Sequence, residues 1–169
     1  MNEMDLGFNQ QSKMFIMKKM IVPIDFSDVS RNAAIYAAQM SADIKDSEIL
    51  LYHVYAKYTA GADGSPLSAD DEARKTITES ALNNIRKDLL YLTAAKVSIL
   101  AEEGDLPNNL ELLVRHADAQ LVIMGISGST KLDQILIGSN TLKVIRKISF
   151  PVLIIPPGAK YIRITKAVF

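Results

Sequence analysis

The sequence predicts an α/β fold, a three-layer sandwich in which helices cover both faces of a five-stranded parallel sheet. The first observation is that short apolar, β-branched runs alternate with helical patterns in the order βαβαβαβαβ. The second is a composition typical of one globular domain, with 169 residues, 49% hydrophobic and 22% charged. Strands that alternate with helices pair in parallel through right-handed crossovers. Because such sheets bind ligands beyond the carboxyl ends of their strands, where the strand order reverses, we expect functional residues there.

The first half of the chain predicts two strands and two helices. "KMIVPID" (Lys19–Asp25) is the first strand, since its apolar run stops abruptly at a polar residue. A helix follows over 26–44, where Ser27 or Asp28 can act as the N-cap. "EILLYHVY" (Glu48–Tyr55) is the second strand, and a glycine-containing loop leads to a helix over about Asp70 to Leu92. The predicted apolar stripe of that helix is Ile77, Leu82, Ile85 and Leu89.

The second half predicts three more strands and two more helices. "KVSILAEEG" (96–104) is the third strand, and Asp105 caps a third helix over 105–118. "AQLVIMGIS" (119–127) is the fourth strand, and the fourth helix runs from Gly138 to about Ile148. "FPVLIIPP" (150–157) is the fifth strand. The closing "YIRITKAVF" (161–169) is similar to the first strand, so an extra strand and the opening of a second repeat both stay open.

Three glycines mark the predicted ligand side of the sheet with the spacing G-x2-G-x9-G-S. Gly125 directly follows the fourth strand, Gly128 lies in the next connection, and Gly138-Ser139 opens the fourth helix. Glycine lets the backbone approach a ligand closely, and the free N–H groups of a helix N-terminus bind phosphate. The spacing is neither a Walker A loop nor a dinucleotide fingerprint. Two interpretations stand: a phosphate cradle, or a tight turn followed by a helix cap.

Composition excludes several classes of function. Nineteen basic and nineteen acidic residues give a net charge of zero, so charge offers no case for binding nucleic acid or an anionic membrane. The chain has no cysteine, which excludes disulfides, thiolate chemistry and cysteine-ligated metals. Its apolar runs are shorter than the roughly 20 residues of a membrane-spanning helix. The start of the chain has no basic region followed by a long apolar run, so we expect no signal peptide and a cytoplasmic location.

Four stretches together closely resemble the universal stress protein family. They are "VPIDFSDVS", "ILLYHVY", the G-x2-G-x9-G-S spacing and "KVIRKISFPVLIIP", and they cover about Lys18 to Pro157 in the family's order. The resemblance implies a Rossmann-like sheet of the adenine-nucleotide α-hydrolase-like type. Because the glycine motif is kept, it also implies the ATP-binding branch of the family, with Mg or Mn as a metal that could accompany the nucleotide. The metal's ligands stay unknown, and ADP or AMP could replace ATP.

The resemblance assigns ten residues to the nucleotide site. It implies that Pro23, Ile24 and Asp25 lie against adenine and ribose, and that Val54 lines the adenine pocket. Met124 and Gly125 would border ribose and phosphates. The phosphates themselves would be held by the last group: Gly128, Gly138, Ser139 and Asn140. It further implies a homodimer formed through the fifth strand.

Other polar residues offer weaker candidates for chemistry. We interpret His53, in the second strand, as a hydrogen-bonded, partly buried histidine rather than a catalyst, and His116 as surface near the end of a helix. The carboxylates Glu102, Glu103 and Asp105 fit solvated loop charges better than a metal site. No catalytic set is predicted. We expect a nucleotide-binding stress-response or signalling module, with a slow ATPase or self-phosphorylating enzyme, or a nucleotide-free dimeric scaffold, as the alternatives.

The predicted domain organisation has three parts. Residues 1–16 form a leader outside the fold, and residues 17–157 form the universal stress protein domain. Residues 158–169 form a tail that is a linker or the start of a second repeat.

Overall fold

The computed structural model describes residues 18–55, 71–126, 139–147 and 149–163. Within them, nine elements follow one another in the predicted alternating order. The strands are β1 (Lys19–Pro23), β2 (Glu48–Tyr55), β3 (Lys96–Glu103), β4 (Leu121–Gly125) and β5 (Val152–Ile155). The helices are α1 (Asp28–Ser41), α2 (Asp71–Leu90), α3 (Leu106–His116) and α4 (Ser139–Lys147). The predicted α/β class with a five-stranded parallel sheet is therefore confirmed.

The sheet has the strand order β3-β2-β1-β4-β5, and every neighbouring pair is parallel. β1 therefore lies in the middle of the sheet, and the chain builds outward through β2 and β3 and then crosses to the other side of β1. The strand order reverses between β1 and β4. At that point the two crossovers leave toward opposite faces, which opens a crevice above the carboxyl ends of the two strands.

Apolar side chains form a core on each face of the sheet. The larger cluster lies between the sheet and helices α1 and α2, and includes Met20, Leu51 and Ile123. The α1 side of this cluster is made by four alanines, all fully buried: Ala33, Ala34, Ala37 and Ala38. The other cluster lies under α3 and α4 and includes Tyr52 and Leu110. Both faces are covered, so the strands carry apolar residues on both sides.

The cap predictions for α1 and α3 are confirmed. Ser27 is the N-cap of α1 and accepts a hydrogen bond from the backbone N–H of Ser30, while Asp105 does the same for Asn108 in α3. These side chains satisfy backbone donors that the first turn of a helix cannot pair internally. Each helix therefore begins at the residue after its cap, at the edge of the sheet where the preceding strand ends.

One predicted core position of α2 is wrong. Ile77 is 70% exposed, whereas Thr78 is only 9% exposed. Leu82, Ile85 and Leu89 are buried as predicted. At about 100° per residue, Ile77 lies about 140° around the helix from Leu82, while Thr78 lies only about 40° from it. Helical geometry therefore puts threonine, not isoleucine, on the buried stripe.

The described part of the tail lies along the outer side of α1. Tyr161 donates its backbone N–H to Gln39 Oε1 over 3.3 Å and its hydroxyl to Asp43 Oδ2 over 2.8 Å. Its ring meets Tyr36 edge-on, with centroids 5.4 Å apart. Residues 161–163 belong to no strand, and the rest of the predicted extra strand lies outside the described residues, as does the leader over 1–16.

Candidate functional site

A cleft lies where the strand order reverses, beyond the carboxyl ends of β1 and β4. Its empty volume is about 560 Å³, including space open to solvent. Six of the residues assigned by sequence line it: Pro23, Ile24, Asp25, Val54, Met124 and Gly125. They come from β1, β2 and β4 or from the residue positions just beyond them.

Of the remaining four assigned residues, the structure describes only the backbone of two. Gly128 and Gly138 lie outside the described residues, together with the connection between them. Ser139 and Asn140 form the first backbone positions of α4. The first turn of that helix reaches the cleft, because Thr141 lines it and donates its hydroxyl to the Gly125 carbonyl over 3.5 Å. The helix predicted to bind phosphate thus begins beside the cleft.

Asp25 lies just beyond β1 in a compact polar turn. Its Oδ1 accepts hydrogen bonds from the Ser27 backbone N–H (3.0 Å) and the Ser27 hydroxyl (2.5 Å). Partial burial opposes ionisation, but the hydrogen bonds from Ser27 and Ser30 outweigh it and hold the pKa of Asp25 below its ordinary value of 3.8. At neutral pH the cleft therefore contains an anionic carboxylate, a group that accepts hydrogen bonds from hydroxyl and amine donors.

The backbone next to Asp25 is strained. Phe26 has a φ of 65°, in the left-handed region that a bulky side chain rarely adopts. Such a conformation costs of order 1–3 kcal/mol and persists only where surrounding contacts impose it. One such contact is with His53 of β2, whose ring centroid lies 4.8 Å from that of Phe26.

Gly125 is required by helix packing as well as by the cleft. A Cβ at this position would lie 2.3 Å from the Val29 carbonyl oxygen at the start of α1. No side chain can be accommodated there unless α1 moves. The sequence predicts this glycine in a turn or a phosphate site, and the structure adds a close approach between strand and helix.

Five further residues line the cleft that the sequence did not assign to the site: Val29, Ser30, His53, Leu106 and Thr141. Ser30 and Val29 come from the first turn of α1, and Leu106 begins α3. The residues at the start of a helix that follows a strand could have been inferred, since these helix starts share the sheet edge with the strand ends. His53 was predicted to be hydrogen-bonded, and its Nδ1 does lie 2.6 Å from the Ile24 carbonyl oxygen.

The carboxylates at the end of β3 are hydrogen-bonded. Glu102 Oε2 accepts from the buried Tyr52 hydroxyl over 2.8 Å and from Asn109 Nδ2 over 3.4 Å. Burial and the bond to this carboxylate raise the pKa of Tyr52 far above its ordinary value. Asp105 serves as the α3 cap. Among the described residues no group of three or more His, Asp or Glu side chains is arranged to hold a metal ion.

An open parallel sheet with a cleft at its switch point defines a class of α/β proteins that bind ligands at this edge. The particular family follows from sequence comparison. The sequence model of the universal stress protein family matches residues 17–156, so the chain belongs to that family. None of the described helices is long and apolar enough to cross a lipid bilayer.

Two curated relatives come from Methanocaldococcus jannaschii. Universal stress protein MJ0531 is 29% identical over 149 residues, covering 86% of this chain and 85% of the relative. Universal stress protein MJ0577 is 29% identical over 154 residues, covering 82% of this chain and 94% of the relative. The solved structure of MJ0577 has a TM-score of 0.66 at 28% identity, covering 86% of this chain and 99% of that one.

Solved structures with nucleotides share the fold at lower identity. A universal stress protein in complex with cAMP has a TM-score of 0.64 at 19% identity, covering 85% of this chain and 99% of that one. The universal stress protein of Archaeoglobus fulgidus has been solved with dAMP, and a family protein of Arabidopsis thaliana with AMP. At these identities the likeness shows the fold alone.

Proposed function

We propose that this protein binds ATP in the cleft and acts as a stress-response or signalling module whose partner surface changes with nucleotide occupancy. The observation that carries the proposal is the convergence of the six sequence-assigned residues on one cleft at the switch point. The adenine-nucleotide complexes of proteins with this fold support the ligand class. The retained glycine spacing supports a ligand with several phosphates rather than a nucleoside.

The chemistry of the cleft suits the parts of an adenine nucleotide. Val54 and Met124 offer apolar surface for a purine ring. The ionised Asp25 carboxylate offers a hydrogen-bond acceptor for ribose hydroxyls or an exocyclic amine. The first turn of α4 offers backbone N–H groups that have no partner within the helix, together with the positive end of the helix dipole, for phosphates. In our proposal Gly128, Gly138, Ser139 and Asn140 hold those phosphates, and Mg or Mn accompanies them.

The proposal includes an assembly and a location. β5 is an edge strand of the sheet, and three of its four residues are half-buried. Among the described residues no strand pairs with the outer side of β5, and such an edge with apolar side chains favours pairing with a second copy, so we propose a homodimer through β5. We also propose that the protein works in the cytoplasm.

Calorimetric titration of purified, nucleotide-free protein with ATP, ADP and AMP tests the ligand. We expect one ATP per chain and at least tenfold weaker binding by Asp25→Asn and by Gly138→Val. Asp28→Asn is the matched control, because Asp28 is exposed in the first turn of α1 and does not line the cleft. Absence of heat and of ligand-induced stabilisation up to millimolar ATP in folded protein would refute the proposal.

The same preparations separate a binding module from an enzyme. After loading with ATP and removal of free ligand, a module releases intact ATP on denaturation and shows no Mg²⁺-dependent phosphate production above a Gly138→Val background. Steady release of ADP, lost in Gly138→Val, would replace the module with the slow ATPase. Preference for AMP would instead identify a sensor of the monophosphate.

A further inference from the structure

His53 contacts both residues that flank Asp25 in the chain. Its ring nitrogen Nδ1 lies 2.6 Å from the carbonyl oxygen of Ile24. Its ring also lies against Phe26, with centroids 4.8 Å apart and planes at 42°. Asp25 is therefore held between two residues that are each tied to the same side chain. His53 also lines the cleft itself.

The backbone around Asp25 needs such support. The pairing of β1 with β2 stops at Pro23, apart from one further hydrogen bond from the Ile24 N–H to the Tyr52 carbonyl (2.7 Å). Beyond that bond the chain enters the left-handed turn at Phe26. His53, by contrast, lies in β2, where it is paired in register with Ala101 of β3. β2 is held by β3 at His53 and by β1 up to Tyr52, so the His53 side chain is a rigid support for a turn that has left the sheet.

The contact with Ile24 also fixes the proton of the histidine ring. A carbonyl oxygen only accepts hydrogen bonds, so Nδ1 must carry the hydrogen. In the neutral ring Nε2 is then an acceptor, and it has no hydrogen-bond partner among the described residues. The hydrogen bond at one nitrogen thus selects the tautomer of the whole ring.

We infer that His53 is the positioning residue of the nucleotide site: its Nδ1–H and its ring face hold Ile24 and Phe26 so that Asp25 presents its carboxylate to the ligand. This inference rests on the proposed nucleotide function for its ligand, but not for its geometry. His53 acts on the ligand through Asp25. The geometry of the Asp25 turn can be monitored by the hydrogen bond from the Ser27 backbone N–H to Asp25 Oδ1 (3.0 Å).

The proton position is tested first, in the wild-type protein without ligand. Long-range proton–nitrogen correlation spectra at alkaline pH distinguish the two neutral tautomers, and His116, exposed near the end of α3, is the internal reference. We expect the Nδ1–H form for His53. A hydrogen on Nε2 with a bare Nδ1 would overturn the inference, because that ring cannot bond to Ile24.

Three substitutions then separate positioning from simple space filling. His53→Asn keeps an N–H donor near the place of Nδ1, His53→Gln moves the donor to the place of Nε2, and His53→Leu removes it. We expect His53→Asn to keep the Ser27 amide-proton shift and to bind ATP within about twofold of wild type. His53→Gln and His53→Leu should shift that amide upfield and bind ATP about threefold to tenfold more weakly, the size of one hydrogen bond. His116→Asn is the control and should change neither.

The possible results distinguish a failure of the positioning role from a failure of the proposed ligand. Equal effects of all three substitutions, or none, on the Ser27 amide would overturn the positioning role. If the amide pattern is as expected but wild-type protein binds no ATP, the geometry stands and the proposed ligand is wrong. If ATP binds and the affinities of the Asn and Gln variants are equal, the positioning role is wrong and the ligand stands.

Discussion

Asp25 and Ser27 depend on each other at the start of α1. The Ser27 hydroxyl donates to Asp25 and, through its lone pairs, accepts from the Ser30 backbone N–H over 3.3 Å. One oxygen therefore links the carboxylate in the cleft to the first turn of the helix. A change in the ionisation of Asp25 must alter this helix cap, so the cleft and α1 are chemically coupled at the scale of single side chains.

The first prediction concerns the pH dependence of stability. Because the folded-state pKa of Asp25 is below its unfolded value, the ionised carboxylate stabilises the fold above about pH 4, and this contribution is lost as pH falls through the folded pKa. We expect wild type to be more stable than Asp25→Asn at pH 6, with the difference shrinking steadily below pH 4. Urea unfolding of both proteins at several pH values measures it, and Asp28→Asn is the control. A difference that is constant with pH would contradict the lowered pKa.

The second prediction concerns Gly125. Gly125→Ala should lower the free energy of unfolding by roughly 1–3 kcal/mol, because the new Cβ overlaps the Val29 carbonyl. Gly158→Asn is a useful contrast: its φ is 71°, which asparagine tolerates, and a Cβ added there would have no other atom within 4 Å, so we expect a much smaller loss. Denaturant unfolding compares the two, and equal losses would mean that α1 moves aside easily.

This glycine shows where sequence reasoning stops. A strand followed by glycine indicated the right edge of the sheet, because that inference needs only local pattern. The steric demand of Val29 on Gly125 is a contact across 96 positions of sequence (125 minus 29). A pattern along the chain contains no such distance. Loss of ATP binding in Gly125→Ala would consequently not test phosphate binding, which is better probed at Gly138.

At the scale of elements, the periodicity of the sequence predicted every helix and strand, but not all of their ends or buried positions. All four helices and five strands were expected, and β2 has the predicted bounds of Glu48–Tyr55. β1 ends at Pro23 rather than Asp25, because the left-handed turn at Phe26 draws the chain out of the sheet. In α2 the hydrophobicity of Ile77 predicts a buried side chain, whereas its angle around the helix predicts an exposed one. Geometry, not hydrophobicity, decides which residue of such a pair is buried.

The third prediction uses that helix, α2. Leu82→Ala should lower the free energy of unfolding by about 2–5 kcal/mol, because Leu82 is fully buried and its removal leaves a cavity. Ile77→Ala should change it by no more than about 0.5 kcal/mol, since Ile77 is 70% exposed. Both substitutions shorten an aliphatic side chain to alanine in the same helix, so their main difference is the burial of the side chain removed. Similar losses for the two would show that Ile77 is covered in solution.

At the scale of the whole molecule, strand order determines where the site lies. Each β–α unit could be identified along the sequence, yet the sequence alone does not say that β4 pairs with β1 rather than with β3. The order β3-β2-β1-β4-β5 brings Asp25 and Met124 to one crevice although they are 99 positions apart (124 minus 25). The resemblance to a family grouped these residues in one predicted site, whereas residue patterns predicted only the edge of the sheet.

The last prediction concerns how the tail is tied to the domain. Asn32 donates its side-chain amide to the carbonyl oxygens of Pro156 and Ala159 near one end of α1, and Tyr161 bonds to Asp43 beyond the other end. The tail thus spans about three turns of the helix and packs on the α1 core. We expect its described part to be needed for full stability of the domain.

Tyr161 tests this tie with graded substitutions. Tyr161→Phe removes the hydroxyl bond and should cost about 0.5–1.5 kcal/mol. Tyr161→Ala also removes the edge-on contact with Tyr36, which contributes a further 0.5–1.5 kcal/mol, roughly, beyond the area it buries. Ile162→Ala is the matched control, because Ile162 is 81% exposed and should be nearly neutral. If Tyr161→Ala were as mild as Ile162→Ala in urea unfolding, the tail would be held too loosely to contribute, and α1 would be anchored by its alanine face alone.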